Sequence, residues 1–233
     1  MPQGKSFFVV GTDTGVGKTT VSLAFIGSLR ARGYSVAAMK PCETGDGLDA
    51  VALWESVDRA SALALVNPYR FKMPAAPEIA ARRAGSRIDF SVIEEAHAAL
   101  VKTADVTVVE GAGGLLVPFT RNDTTVDLIY RLKLPVLIVA RTALGTINHT
   151  LLTIEVARAR GLAILGVVFS RSQEGPDENE AESIDAISRL GNVSSLGVLP
   201  YLPQQHGNVS RELGVVASAH LEVSQLCRAL HLS

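Results

Sequence analysis

A glycine-rich loop between an apolar run and a helix-length segment constrains this chain more than any other feature. The run Phe7–Val10 leads into Gly11-Thr-Asp-Thr-Gly-Val-Gly-Lys-Thr19, and the segment Lys18–Arg32 follows. In a strand–loop–helix unit of this kind, backbone N–H groups and the helix N-terminus surround a phosphate. A strict G-x-x-x-x-G-K-[ST] pattern would place its first glycine at Thr12, and Gly11 lies one residue earlier. The order of strand, loop and helix nevertheless predicts a phosphate-binding loop.

The residue types in this loop match separate tasks in binding a nucleoside triphosphate. Gly15 and Gly17 permit a tight path and a close approach of the backbone to the ligand. Lys18 is placed to reach the β- and γ-phosphates, and Thr19 offers a hydroxyl to Mg²⁺. The predicted nucleotide contacts of the loop are Gly15, Val16, Gly17, Lys18, Thr19 and Thr20.

Apolar, β-branched runs alternate with helix-length segments along the chain. Continuous apolar character is typical of strands buried on both faces. The alternation predicts an α/β fold, doubly wound, with a mostly parallel sheet flanked by helices. The predicted strands are Phe7–Val10, Val36–Met39, Val106–Val109, Val136–Val139, Ile164–Phe169 and Leu196–Leu199. The predicted helices are Lys18–Arg32, Asp89–Lys102, Thr124–Leu132, Asn148–Arg160 and Asp177–Leu190.

The remaining segments are less regular. Residues 46–87 contain three prolines and predict short helices and loops, and Leu221–Leu230 predicts an amphipathic C-terminal piece. Because the chain has no repeat, low-complexity tract or linker, we expect residues 1–233 to form a single domain.

The charge balance and the cysteine content of the chain limit which kinds of partner it can bind and in which cellular compartment it is expected. Lys plus Arg number 22 against 23 Asp plus Glu, so the chain lacks a broad basic footprint for nucleic acid or acidic membrane. No stretch reaches the ~18 apolar residues of a membrane helix, and the N-terminal run is too short for a signal peptide. Cys42 and Cys227 lack a CxxC partner, which favours reduced thiols over a disulfide framework or a zinc site. We therefore expect a cytoplasmic protein that binds neither nucleic acid nor membrane.

Two charged residues stand where predicted strands end, which is where ligands bind in such sheets. Glu110 follows Val106–Val109 and precedes Gly111-Ala112-Gly113-Gly114, whose small residues let the backbone approach a nucleotide. A strand-end carboxylate beside a phosphate loop is a typical Mg²⁺ partner, and the alternative is a glutamate in an ordinary turn. Lys40 follows Val36–Met39 and is either a surface lysine at a strand end or a catalytic cation.

Five segments, taken in their order and spacing, resemble the dethiobiotin synthetase family from residue 8 to about residue 202. The resemblance implies a fold of the P-loop NTPase type and an ATP-dependent ligase. In that reaction 7,8-diaminopelargonic acid and CO₂ form a carbamate, and a carbamate oxygen attacks the γ-phosphate of ATP. The second amine then closes a ureido ring and releases phosphate. The segments are Gly11–Thr19, Lys40-Pro41, Val66–Phe71 with Pro74 and Pro77, Val109–Gly114, and Leu144-Gly-Thr-Ile-Asn-His149.

The resemblance also implies which residues act on the phosphates and the metal. Lys18 and Lys40 would face the transferring phosphoryl group, with Lys40 holding the carbamate and the γ-phosphate. Thr19, Glu110 and an aspartate would bind Mg²⁺. Asp49 fits the aspartate position best, and Asp46 is the alternative.

The same resemblance implies a diamine site that two copies of the chain share. Thr14 and Thr44 would line it. The carboxylate tail of the diamine would bind at a helix N-terminus, on Leu144, Gly145 and Asn148, across the interface of a homodimer. Asn148 would equally serve as an N-cap, and this structural role explains it without a ligand.

The resemblance places the adenine base near two later segments. Ser170 and Arg171 stand where relatives often carry an amide side chain. A single hydroxyl cannot make the paired donor and acceptor contacts of an amide, so nucleotide selectivity is looser or the backbone reads the base. Pro200-Tyr201-Leu202 matches a segment that closes over the base. A downstream acidic contact of some relatives has no clear counterpart in residues 203–208.

Two other classes of protein share this kind of loop. Partition-type and nitrogenase-reductase-type ATPases carry a signature lysine where this chain has Asp13, and a carboxylate cannot supply its positive charge. Amidotransferases of the cobyrinic-acid type carry a glutaminase domain with a nucleophilic cysteine, for which the chain has neither room nor motif. The sequence therefore predicts a small-molecule ligase that uses ATP and Mg²⁺.

Overall fold

The protein is described by a computed structural model over residues 5–45, 47–202 and 209–232. Asp46, the alternative metal ligand, and the segment 203–208 lie outside the described residues. Within the described residues, no helix is long and apolar enough to span a membrane.

A six-stranded sheet in which every neighbouring pair is parallel forms the centre of the fold. Its strands are ordered β2-β5-β1-β6-β7-β8, and β3 pairs with β4 in a separate, parallel two-stranded sheet. The strands are β1 Lys5–Gly11, β2 Val36–Met39, β3 Cys42–Thr44, β4 Tyr69–Phe71, β5 Val106–Glu110, β6 Val136–Arg141, β7 Ile164–Ser170 and β8 Ser195–Leu199.

Helices cover both faces of the large sheet, so alternate residues of a strand enter different cores. Phe8 and Val10 of β1 pack with one core, and Phe7 and Val9 pack with the other. The doubly wound prediction is therefore confirmed. The helices are α1 Lys18–Ala31, α2 Asp49–Ser56, α3 Leu63–Val66, α4 Pro77–Arg83, α5 Phe90–Val101, α6 Thr125–Leu132, α7 Thr146–Ala159, α8 Glu180–Gly191, α9 Ser210–His220 and α10 Val223–Ala229.

All six predicted strands and four of the five predicted helices lie within two residues of their predicted bounds, and the start of the helix predicted from Asp177 was wrong. Helix α7 begins at Thr146 rather than Asn148, because Gly145 takes a left-handed conformation (φ +92°) and serves as the N-cap. Helix α8 begins at Glu180 rather than Asp177. The sequence analysis also missed β3 and β4, since strands of three residues are too short to carry a periodic pattern.

The sequence analysis missed α9 as well, and a glycine explains why. Gly214 lies inside α9 and disfavours a helix by propensity. In the fold, Gly214 meets Gly27 of α1, where a Cβ atom on Gly214 would lie 2.5 Å from the main-chain carbon of Gly27. The two glycines thus let α1 and α9 cross in close contact.

Candidate active site

The glycine-rich loop joins β1 to α1 at the carboxyl end of the sheet. Gly17 is the N-cap of α1 with φ +91°, and a Cβ atom there would lie 2.5 Å from the Ser170 hydroxyl oxygen. Both the left-handed backbone and this close approach require glycine. Lys18 is buried, and its Nζ donates to the main-chain oxygen of Asp13 at 3.0 Å. Burial lowers the pKa of Lys18 below its usual value.

A buried carboxylate joins the loop to a second lysine. Glu110 is the last residue of β5 and is completely buried. Its Oε1 accepts a hydrogen bond from Thr19 Oγ1 at 2.8 Å and another from Lys40 Nζ at 2.6 Å. Lys40 Nζ also donates to Asp49 Oδ2 at 3.0 Å. The structure therefore brings together the two predicted lysine–phosphate contacts and the predicted metal ligands.

Lys40 is not a surface lysine, because its side chain is only 4% exposed. Its backbone is held on both sides, since its N–H donates to the Val66 carbonyl at 2.7 Å and its carbonyl accepts from Asn67 Nδ2 at 2.8 Å. Burial alone would lower the pKa of Lys40, but the charges of Glu110 and Asp49 outweigh it and raise this pKa above its usual value. A permanent positive charge therefore stands at the end of β2.

The oxygen atoms beside Lys40 suit a hard divalent cation. Thr19 offers a hydroxyl, and Asp49 and Glu110 offer carboxylates, which are the ligand types that Mg²⁺ prefers. Glu110 Oε2 is buried and has no hydrogen-bond partner among the described residues. Burial would raise the pKa of Asp49, but the charge and hydrogen bond of Lys40 outweigh it and lower this pKa. An unpaired buried carboxylate oxygen is costly, so these residues fit a bound metal ion.

Thr19, Lys40 and Asp49 line a cavity of about 690 Å³ that extends over the phosphate loop, whereas the fully buried Glu110 does not line it. Most of the predicted site residues contribute to its wall. They are Thr14, Gly15, Gly17, Lys18, Thr19, Thr20, Lys40, Thr44, Asp49, Ala112 and Gly113. No site role was predicted for the other residues of the wall, which are Cys42, Glu43, Pro74, Ala75, Ala76, Pro77 and Val117. Glu43 is 3% exposed, and burial raises the pKa of its carboxyl.

A second, smaller cavity of about 100 Å³ adjoins the loop on the side of β7 and β8. It shares Gly15, Gly17 and Thr20 with the first cavity. The predicted base-contacting residues all line it, and so does Arg141, which the sequence analysis did not select. The base-contacting residues are Ser170, Arg171, Pro200, Tyr201 and Leu202, and the loop residue Val16 also lines this cavity. The structure thus brings the two predicted base-binding segments together.

Two arginines beside the smaller cavity are held by carboxylates. Arg171 makes a paired contact with Glu180, with nitrogen–oxygen distances of 2.8 and 2.7 Å. Arg141 Nη2 donates to Asp13 Oδ2 at 2.9 Å, and Asp13 Oδ1 accepts the Thr14 N–H at 2.7 Å. Asp13, which replaces the signature lysine of the switch ATPases, therefore ties the loop to the end of β6.

Five predicted site residues lie outside the linings of both cavities, as far as the described residues define them, and one of the five is the fully buried Glu110. Gly111 packs against Phe8, whose ring would lie 2.6 Å from a Cβ atom at that position. Leu144 is fully exposed, Gly145 is the N-cap of α7, and Asn148 is exposed in the first turn. The interpretation of Asn148 as the N-cap is therefore wrong.

Comparisons with known proteins agree with this geometry. The family model described as AAA domain matches residues 5–208. A protein from Anaeromyxobacter dehalogenans named ATP-dependent dethiobiotin synthetase is 42% identical over 224 residues, which cover 94% of this chain and 99% of that protein. A protein of the same name from Bacillus cereus is 37% identical over 229 residues, which cover 94% of this chain and 92% of that protein.

Solved structures resemble the chain in fold. The MinD cell division protein of Aquifex aeolicus gives a TM-score of 0.59 at 12% identity and covers 99% of this chain and 98% of its own. A ParA family ATPase of Chlorobium tepidum gives 0.54 at 15% identity and covers 99% of both chains. At such low identity these likenesses establish a P-loop NTPase fold and nothing finer. Identity to the curated relatives over nearly the whole chain goes further: the chain belongs to the dethiobiotin synthetase family.

Proposed function

We propose that this chain makes dethiobiotin from 7,8-diaminopelargonic acid, CO₂ and ATP, and releases ADP and phosphate. Membership of the family makes the chain an ATP-dependent ligase that forms carbon–nitrogen bonds. One observation supports the proposal most strongly. The side chain of Lys40 lies between Glu110 and Asp49, in a cavity that it shares with the phosphate loop.

The reaction has three bond-forming steps. A neutral amine adds to CO₂ and loses a proton, which gives a carbamate. A carbamate oxygen then attacks the γ-phosphorus of ATP, the bond to the β-phosphate oxygen breaks, and ADP leaves. The second amine, in its neutral form, attacks the carbonyl carbon of the resulting carbamic-phosphoric anhydride, loses a proton to water, and expels phosphate as the ureido ring closes. The carbamate and the γ-phosphate are both anionic, so the second step needs nearby positive charge.

Two lysines, Lys18 and Lys40, would supply that positive charge. Lys18 reaches the β- and γ-phosphates from the first turn of α1, once its Nζ leaves the Asp13 carbonyl. Lys40 keeps its proton because two carboxylates neighbour it, and it would hold the carbamate oxygen in line with the γ-phosphorus. Phosphoryl transfer depends mainly on such positioning and charge stabilisation.

Mg²⁺ would be held by Thr19, Asp49 and Glu110. Glu110 accepts hydrogen bonds from Thr19 and Lys40, and Asp49 accepts one from Lys40. When bound, the ion neutralises charge on the β- and γ-phosphate oxygens. The role of Asp49 in this set is our proposal, and so are the catalytic roles of both lysines.

The binding of the diamine tail would involve a second copy of the chain. Leu144 and Ile147 at the start of α7 are exposed, and Leu116 and Leu152 are exposed beside a shallow groove of about 410 Å³. Such a concentration of exposed apolar side chains supports the predicted homodimer. In it, the N-terminus of α7 with Gly145 and Asn148 would meet the carboxylate of the diamine bound to the other copy.

We still predict that nucleotide selectivity is looser, or that the backbone reads the base, because Ser170 stands where relatives often carry an amide side chain. Its hydroxyl lies in the smaller cavity, where it offers a single polar group to the base. A cytoplasmic location also remains our prediction, and it is supported by Cys42 and Cys227, which are free thiols.

The first test measures phosphate release by the purified protein with Mg²⁺-ATP and bicarbonate, with and without 7,8-diaminopelargonic acid. Product mass is read in the same samples. We expect release that depends on the diamine, together with the mass of dethiobiotin. Slow phosphate release at the same rate with and without the diamine would overturn the proposed substrate and favour a nucleotide switch instead.

A further inference from the structure

We infer that Glu43 is a positioning residue, whose carboxylate fixes the first turn of α2 so that Asp49 faces Lys40. The inference rests on the metal-binding role proposed above for Asp49. Glu43 lies in the middle of β3 and is almost completely buried. Its Oε2 accepts a hydrogen bond from the backbone N–H of Ala50 at 2.6 Å.

Helix α2 lacks a cap of its own. The first backbone N–H groups of a helix have no partner within the helix, and a Ser, Thr, Asp or Asn at the N-cap usually supplies one. The N-cap of α2 is Leu48, whose side chain contains no polar atom and whose backbone is already helical (φ −92°, ψ −29°). Glu43, which lies on β3, therefore accepts the hydrogen bond from the first turn of α2 that an N-cap side chain accepts in other helices. Its negative charge also suits a helix N-terminus.

The segment that leads into α2 makes such an anchor necessary. Gly45 (φ +89°) and Gly47 (φ +68°) both take left-handed conformations, so the approach to the helix contains two residues with high backbone freedom. Asp49 comes directly after this segment as the first residue of α2. Its distance of 3.0 Å from Lys40 Nζ thus depends on where the first turn is held.

The backbone around Glu43 is held by hydrogen bonds to neighbouring segments. β3 pairs in parallel with β4, where Glu43 lies opposite Arg70. The main chain at Lys40, three residues earlier, is bonded to Val66 and Asn67. The carboxylate of Glu43 therefore links β3 to the first turn of α2, and in this way it fixes Lys40 and Asp49 relative to each other.

The test compares Glu43→Ala, which removes the hydrogen-bond acceptor, with Glu43→Gln, which keeps an acceptor oxygen and removes only the charge. Two properties are measured on the purified full chain. One is the Mg²⁺ concentration that half-saturates turnover at fixed ATP and diamine, and the other is hydrogen–deuterium exchange in residues 48–56. Thermal melting identifies any variant that fails to fold. Asp49→Asn is the reference for loss of the proposed metal ligand.

We expect Glu43→Ala to raise the half-saturating Mg²⁺ concentration about fivefold, the factor that corresponds to a lost helix cap. It should also speed exchange in residues 48–56. Glu43→Gln should stay within about twofold of the wild type in both properties, because its amide oxygen can accept the Ala50 N–H. A general loss of stability would lower the melting temperature without moving the Mg²⁺ dependence.

Three results would overturn the inference, and they separate it from the proposed function. If Asp49→Asn raises the Mg²⁺ requirement and Glu43→Ala does not, Asp49 keeps its role and Glu43 does not position it. If Glu43→Gln is as defective as Glu43→Ala and the defect is a raised KM for the diamine, Glu43 contacts the substrate instead. If Asp49→Asn leaves the Mg²⁺ requirement unchanged, the proposed metal site fails and the inference fails with it.

Discussion

Helices α1 and α7 begin in nearly the same way and end up in opposite surroundings. Each follows one of two neighbouring strands of the large sheet, has 14 residues and starts after a left-handed glycine, Gly17 (φ +91°) or Gly145 (φ +92°). Val16 before the first glycine is 3% exposed, whereas Leu144 before the second is fully exposed. Two locally similar helix N-termini therefore differ in what the rest of the fold places around them.

The comparison shows what a helix N-terminus needs before it becomes a site. Around the start of α1 the chain assembles Glu110, Lys40 and Asp49 from three other segments, and Lys40 and Asp49 line a cavity there. At the start of α7, Leu144 and Ile147 are exposed, and neither residue lines either of the two cavities beside the phosphate loop. A dipole end in water binds anions weakly, because solvent and salt screen it. The second end becomes useful only when another surface, in our proposal a second copy of the chain, excludes water from it.

The largest expected effect follows from removing the cation on the α1 side. We predict that Lys40→Ala lowers kcat about a thousandfold, the loss typical of deleting a group that stabilises transition-state charge. ATP binding should stay within about threefold, since the backbone of the loop and Lys18 remain. Stopped-assay turnover and equilibrium binding of ATP measure the two quantities. Turnover near the wild-type rate would exclude Lys40 from the chemistry.

Substituting Gly17 and Gly145, the N-caps of α1 and α7, tests directly how the surroundings of the two helix starts differ. Gly17→Ala should destabilise the protein by about 3 kcal/mol, because left-handed strain adds to a clash with Ser170. Gly145→Ala should cost only about 1 kcal/mol, because it carries the strain alone and its Cβ atom meets nothing within 4 Å in the described part of the chain. Urea denaturation gives both free energies of unfolding. Equal losses would contradict the role of the Ser170 contact.

A smaller effect is expected when the buried carboxylate loses its charge. We predict that Glu110→Gln raises the half-saturating Mg²⁺ concentration at least about tenfold, the usual range for disturbing a metal's coordination shell. The amide can still accept from Lys40, so the fold around β5 should persist. Titration of turnover with Mg²⁺ tests this, with circular dichroism as the control. An unchanged titration would remove Glu110 from the metal site.

The smallest expected effect concerns the surface at α7. We predict that Leu144→Asp weakens self-association and raises the KM for the diamine about fivefold, because charge is placed on an apolar face and beside the carboxylate of the substrate. ATP binding, which uses the α1 side, should not change. Sedimentation equilibrium and KM values for both substrates measure the outcome. A chain that stays monomeric at all concentrations before mutation would contradict the shared diamine site.

The sequence predicted the large sheet well because its strands are buried on both faces and therefore read as continuous apolar runs. Prediction from the sequence failed where the local conformational preference of a segment differs from the conformation that tertiary packing imposes on it. The three-residue strand β3 carries no periodic pattern, and Gly214 disfavours α9 until α1 packs against it at Gly27. Asn148 has the residue type of an N-cap, but the left-handed Gly145 starts the helix earlier.

The candidate site divides in a similar way. Its residues at strand ends and in the phosphate loop could be selected from the sequence, because short spacing and strand order fix their positions. Glu43 and Arg141 could not be selected in this way. Glu43 acts on a helix seven residues away, and Arg141 pairs with Asp13, which is 128 positions away in the chain. No local pattern specifies such pairings.

The sequence by itself thus determined the doubly wound class, the phosphate loop and the polar groups available at each strand end. It did so because strand burial, glycine conformation and loop chemistry are local properties of a few consecutive residues. Only the tertiary structure decided that Lys40 is buried between Asp49 and Glu110, and that one of two similar helix starts is enclosed while the other faces solvent. Those outcomes depend on which segments the parallel sheet brings side by side, and the sum of long-range packing settles that choice.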